Sequence, residues 1–368
     1  MDGRRVLVRI AVLAACARLA LEFVGLMSVA MHGRGIAGSW LALWRQWDAH
    51  GYLRIAEIGY PRVPVLDEDA FNLGFFPGYP FAVRMVATIV RHRLLSGLLV
   101  SYVATVFAYW FLYMLVRLER DDDHAWRAVV LLTAFPTAYF LSAPYSEALF
   151  VCAVTGAIYL ARTGRWRRSA LAGALATATR LVGLAVVPAL AVEALRRRDG
   201  GREPRLRRLL AAASAAAGFV AFLAVSRWVA HDAFRYFALQ RTHWFQTTVP
   251  PWEPVWTGVS SLATGTSSNL AFVFGTRLAA LALAVPLLVL AVRRLPTPDW
   301  VYGWAGFLPL LFTGWLTALP RFLLGVYPLF MVGADLTRSR RVVLCVVVVS
   351  AALQSWWFWR YASGEWTF

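Results

Sequence analysis

Clusters of arginine divide the chain into long apolar runs. The clear runs cover 6–30, 94–116, 127–143, 146–162, 209–229, 269–292, 300–316, 318–335 and 341–359. A helix needs about 20 mainly apolar residues to cross the hydrocarbon of a bilayer. Hydrophobic residues make up 60% of the 368 residues and charged residues 15%. A soluble domain averages roughly 45–50% and about 25%. The chain therefore reads as an all-α polytopic membrane protein. It forms one unit over 1–368, with no soluble domain and no repeat of fixed period.

The arginines also set the expected topology. The net charge is 37 − 20 = +17, and every basic residue is an arginine. That usage points to a GC-rich bacterial genome and so to a bacterial plasma membrane. A pI near 10.8 raises nucleic acid as a partner, but in a membrane chain such an excess marks cytoplasmic loops and contact with anionic membrane lipids. No nucleic-acid partner is expected. The clusters Arg4/Arg5/Arg9, Arg117/Arg120/Arg127, Arg162/Arg165/Arg167/Arg168, Arg196 to Arg208, Arg293/Arg294 and Arg338/Arg340/Arg341 are assigned to the cytoplasmic face. The first apolar run is too long for a signal-peptide core and reads as an uncleaved helix. Segment 169–194 has cytoplasmic clusters on both flanks, so it must enter and return, with Arg180 near its tip. Counting its halves separately gives about eleven membrane segments. Residues 31–93 and 230–268 then face outward, and 81–93 reads as a helix lying on the membrane surface.

Few charged residues remain for chemistry. Asp48 opens a helix-like run over 50–58, and two readings stay open. One is an N-cap accepting backbone N–H bonds; the other is a carboxylate free to take a proton from a hydroxyl. Glu147 lies in a turn between two apolar runs, as a helix-start acid or a carboxylate at an outer cavity mouth. Arg180 and Arg321 sit in otherwise apolar segments, where a cation is costly and usually functional. Each suits phosphate oxygens, or an internal pair with Glu147 or Asp48. His243 beside Trp244 offers a phosphate donor, a sugar platform or an interfacial belt residue. Glu22 follows Arg18 by four residues, as in a helical ion pair. Asp67 to Asp69 read as a solvated loop. Nucleotide-binding glycine loops and HExxH are absent from the sequence, and the three cysteines lack metal-ligand spacing. No metal or cofactor is expected.

These motifs together resemble the PIG-V-type mannosyltransferases, within the GT-C class of membrane glycosyltransferases. The carrying residues are Trp47-Asp48-Ala49 with Tyr52-Leu53 and Gly59-Tyr60; Phe75-Phe76-Pro77; Tyr145-Ser146-Glu147; Thr179-Arg180; and Pro320-Arg321-Phe322 with Tyr327-Pro328-Leu329-Phe330. The resemblance implies a GT-C-like bundle with a long first outer loop. It implies a polyprenyl-phosphate sugar as donor, a glycolipid or glycan acceptor, and transfer with inversion on the extracytoplasmic side. It makes Asp48 the base, with Tyr52, Tyr145, Glu147, Arg180, His243 and Arg321 as donor- and acceptor-binding residues. The competing readings are a flippase of a lipid-linked sugar, which shares broken helices and midplane arginines, and a GT-C enzyme for a different sugar.

Overall fold

The computed structural model describes residues 3–32, 39–62, 67–196, 203–265, 268–314, 316 and 318–367. Arg197, Arg198 and Arg202, of the clusters expected on the cytoplasmic face, lie outside them. The described residues are helical, apart from turns and one isolated antiparallel bridge between Thr248 and Thr313.

The chain begins with α1 (Gly3–Met31). The segment after it supplies α2 (Asp48–Ile58) and, after a 3-10 turn over Asp67–Gly74, α3 (Gly78–Val90). Next come α4 (Arg93–Arg117), α5 (Asp122–Ala134), α6 (Glu147–Arg162), α7 (Trp166–Thr179) and α8 (Val186–Arg196). The second half contains α9 (Arg205–Ser214), α10 (Ala217–Ala230), α11 (Arg235–Thr242), α12 (Glu253–Ala263), α13 (Ser268–Arg294) and α14 (Thr297–Leu311). It ends with α15 (Leu319–Phe322), α16 (Pro328–Leu336) and α17 (Arg340–Ala362).

Five stretches are continuous, long and apolar enough to cross a membrane: Gly3–Met31, Arg93–Arg117, Arg205–Ala230, Leu270–Arg294 and Arg340–Ala362. Leu319–Gly325 with Pro328–Leu336 makes a sixth if that pair, bent by 87°, is one span. α1 and α17 leave Val8, Leu19, Phe23, Leu344, Val348 and Val349 exposed. Such apolar faces on a chain of this composition are lipid-facing. The remaining apolar runs form shorter helices. The run expected over 127–143 stops as an α-helix at Ala134, before Pro136, and continues as a 3-10 turn over Ala138–Leu141. The run over 300–316 leaves helical form after Leu311.

Segment 169–194 does break where expected. α7 ends at Thr179, Arg180 is extended at φ −155° and ψ 150°, and a 3-10 turn leads into α8. α6 and α7 pack along each other with a short connection, so they are antiparallel. Glu147, at the start of α6, and Arg180, just past the end of α7, therefore share one end of the bundle. Arg162, Arg165, Arg167 and Arg168 gather at the other. That far end is held by a buried network: Arg162 donates to Asp299 at 2.5 Å, and the Tyr327 hydroxyl donates to the other oxygen of Asp299 at 2.5 Å.

The segment that carries α2 and α3 is seated on this scaffold. A Cβ at Gly78 would stand 2.6 Å from Thr179 Oγ1 and 2.9 Å from the Ala178 carbonyl oxygen. Only glycine lets the start of α3 approach the end of α7 so closely. The expected surface helix thus starts earlier than 81 and stops at Val90. His92 then caps α4, its ring accepting from the Leu95 amide at 3.2 Å.

Candidate active site

Asp48 is the first residue of α2, and its side chain makes no capping hydrogen bond; Trp47 occupies the N-cap position. Trp47 sits at φ 50°, a region rare for bulky residues that costs on the order of 1–3 kcal/mol. The carboxylate instead meets Arg321, whose Nη1 donates to Asp48 Oδ2 at 2.8 Å. Oδ1 accepts no hydrogen bond from the described residues. The Asp48 side chain keeps 32% of its surface exposed, against 7% for Arg321.

Arg321 lies on α15, the four-residue helix after Ala318, which sits at φ 51°. Pro320 at its start removes a backbone donor that would be orphaned there in any case. The guanidinium stacks over Phe140 and Tyr145, 4.6 and 4.7 Å from their ring centres. Its Nε donates to Glu147 Oε1. Arg180 reaches the same oxygen through Nη1 at 2.5 Å.

Glu147 is 97% buried by accessible surface, so it lies inside the bundle and not at a cavity mouth. Its position at the start of α6 suits an acid, because the helix N-terminus carries partial positive charge. Two arginines on one carboxylate would leave a surplus cation, and Asp48 supplies the second negative charge. The four groups sum to 2 − 2 = 0. Glu147 Oε2 is buried without a hydrogen-bond partner among the described residues. Such an atom costs about 1–3 kcal/mol until a donor reaches it.

Two tyrosines complete the network. Tyr52, one turn after Asp48, shares a hydrogen bond with Ser146 Oγ at 2.8 Å, and Arg180 Nη1 donates to that oxygen at 3.1 Å. Tyr145 donates to the Gln46 carbonyl at 2.8 Å. Six of the seven expected site residues, Asp48, Tyr52, Tyr145, Glu147, Arg180 and Arg321, therefore stand in one cluster.

His243 joins them through space. It lines a cavity of about 210 Å³ with Asp48, Trp47, Phe71, Phe75 and Trp244. Its ring stacks on Phe71 with centres 3.6 Å apart and planes 19° apart. Aromatic walls around a carboxylate make a surface that packs on a sugar's C–H face and binds its hydroxyls. Cations within reach offer charge for phosphate oxygens. Among the described residues, no three His, Cys, Asp or Glu side chains gather as a metal-ligand set.

Two features of the site differ from or extend the sequence reading. Asp69 is not solvated: it is buried and takes a two-pronged bond from Arg54 Nε and Nη2, at 3.0 and 3.1 Å. That bond ties the 3-10 turn carrying Phe71 to α2. Ser146 is a junction between Tyr52 and Arg180; its place between Tyr145 and Glu147 was the available signal. The Arg18–Glu22 pair forms as expected, at 3.1 Å.

A family model described as Mannosyltransferase (PIG-V) matches residues 5–254. The chain belongs to the PIG-V mannosyltransferase family. The matched residues include Asp48, Glu147, Arg180 and His243 but not Arg321, which the fold brings to them. Among similar proteins are the GPI alpha-1,6-mannosyltransferase 2 of Homo sapiens, 34% identical over 155 residues, and that of Cricetulus griseus, 35% identical over 153. These matches cover 38% and 39% of this chain, and 29% and 30% of those proteins. The chain thus spans less than a third of the curated relatives it matches. Among solved structures, the Archaeoglobus fulgidus oligosaccharyltransferase in its apo form is similar with a TM-score of 0.45 and 12% identity. That likeness covers 95% of this chain and 56% of the other. The oligosaccharyltransferase AglB in complex with an inhibitory peptide and a dolichol-phosphate gives 0.46 at 12% identity, with coverage of 95% and 56%.

Proposed function

We propose that the chain is an inverting GT-C-type glycosyltransferase. It moves mannose from a polyprenyl-phosphate mannose to a hydroxyl of a lipid-linked or other extracytoplasmic acceptor. The observation that carries this is the position of Asp48, a part-exposed carboxylate in a family member, lining an aromatic cavity and tied by one oxygen to the buried Arg321. The free Oδ1 takes the proton of the acceptor hydroxyl. The hydroxyl oxygen forms the new bond to the anomeric carbon from the face opposite the leaving group. The bond from that carbon to the phosphate oxygen breaks, and polyprenyl phosphate departs with the electron pair.

The two arginines divide the remaining work. Arg321 spends Nε on Glu147 and Nη1 on Asp48, so it orients the base. Arg180 uses only Nη1 toward Glu147 and Ser146. Its other N–H groups accept the charge that develops on the leaving phosphate, in a setting where fixed donors act strongly. Glu147, buried inside the bundle, holds both arginines in place through Oε1.

The test is transfer by purified protein from polyprenyl-phosphate mannose to candidate lipid and glycan acceptors, read by mass spectrometry. Turnover is expected to survive chelation of divalent metals, and GDP-mannose supplied directly is expected to be inert. Turnover of GDP-mannose by protein freed of carrier lipid would overturn the donor assignment.

A further inference from the structure

A second polar cavity lies beside the one that Asp48 lines. It is a groove of about 770 Å³ between α2 and α3. Arg45, Arg54, Arg84, Arg91 and Arg93 line it, against the single acid Glu57. The lining therefore sums to 5 − 1 = +4 with histidine neutral. Arg93 pairs with Glu57 at 3.1 Å and Arg54 with Asp69 at 3.0 Å. Arg45, Arg84 and Arg91 have no carboxylate within ion-pair distance among the described residues. Like charges around one cavity repel each other and raise the local concentration of anions. The guanidinium fork matches phosphate oxygens in particular.

The helix beside the groove says which anion fits. α3 buries Tyr79 and Val83 against the bundle, yet Phe81, Met85 and Ile89 are exposed at 64%, 54% and 83%. Residues four apart share a face, so these three form one apolar stripe. Arg84, Thr88 and Arg91 form the adjoining stripe, which lines the groove. An apolar stripe beside a basic one, on a helix packed against the bundle, is the pattern of a helix at the membrane surface. A soluble anion would satisfy only the arginines. A molecule with a phosphate at one end and acyl chains at the other covers both stripes.

We infer that the groove is a binding site for one anionic phospholipid, its phosphate headgroup among Arg45, Arg84 and Arg91 and its acyl chains along Phe81, Met85 and Ile89. The site is separate from Asp48, although His50 and Arg54 line both cavities.

The full chain, purified from nanodiscs of mixed phosphatidylglycerol and phosphatidylcholine, tests this by native mass spectrometry. Wild type is expected to retain phosphatidylglycerol in preference to phosphatidylcholine. The triple variant Arg45→Gln/Arg84→Gln/Arg91→Gln should bind phosphatidylglycerol on the order of a hundredfold more weakly, with unchanged thermal stability. The matching Arg→Lys triple keeps the charge and should keep most of the binding. Equal retention of the two lipids by wild type would overturn the proposal, whatever the variants do. So would unchanged retention in the glutamine triple. Release of the lipid by added inorganic phosphate would reassign the groove to a soluble phosphate ligand.

Discussion

The Arg321 guanidinium donates to Asp48 across 273 residues of sequence, Nη1 to Oδ2 at 2.8 Å. The bond joins the start of α2 to the four-residue helix α15. It fixes one carboxylate oxygen and leaves the other for a substrate. Everything proposed for the site depends on this division.

Glu147 carries the largest structural consequence. It holds two arginines, Arg321 buried and Arg180 part-buried, so Glu147→Gln changes the charge of the four-group cluster from 0 to +1. Breaking a buried pair by removing one partner costs about 3–5 kcal/mol. The variant should unfold in detergent well below wild type, and Glu147→Gln/Arg180→Gln should recover part of the loss. A Glu147→Gln protein of native stability would mean that the carboxylate is not the anchor.

Arg180 and Arg321 should fail differently when each becomes lysine. Lysine keeps the charge but loses the planar fork. Arg180→Lys should keep thermal stability and lose turnover by roughly 10²–10³, the usual effect of removing one donor aimed at developing charge. Arg321→Lys must drop a bond to Asp48 or to Glu147, so stability and turnover should fall together. Equal behaviour of the two variants in unfolding and transfer assays would contradict the division of roles.

The legible part of the site was the part set by local cost. Arg180 and Arg321 stood out because arginine in an apolar segment demands a partner, and the break in 169–194 followed from arginine clusters on both of its flanks. The capping and catalytic readings of Asp48 both placed the residue at a helix start, which is where it lies. What sequence could not give was distance between remote residues. Nothing local says that one Glu147 oxygen serves two arginines. Nothing local says that Asp69 returns across 15 residues to Arg54 and so leaves solvent. The helix stop at Ala134 had a local signal in Pro136, which pushes Phe135 out of the α region to ψ 137°; apolar runs alone report neither it nor the stop at Leu311.

Topology is open to a direct check. The account places the Asp48 side of the bundle outside. With Cys16, Cys152 and Cys345 replaced by serine, a single cysteine at Ala70 should react with an impermeant maleimide in intact cells. One at Asp123 should react only after lysis. Labelling of the Asp123 position alone in intact cells would invert the topology and remove the external lipid-linked donor.

The central claim is that Asp48 takes the proton. Asparagine can still accept from Arg321, and the lost charge is at a part-exposed position, 32% against 3% for Glu147, where solvent screens the surplus; the cluster should survive the substitution, but an amide cannot act as a base at neutral pH. The decisive measurement is the single-turnover transfer rate of Asp48→Asn, made alongside its thermal unfolding in detergent. The account predicts native stability with a rate lower by on the order of 10²–10⁴. A folded Asp48→Asn protein that kept more than about a tenth of the wild-type rate, far above what loss of a base leaves, would contradict it.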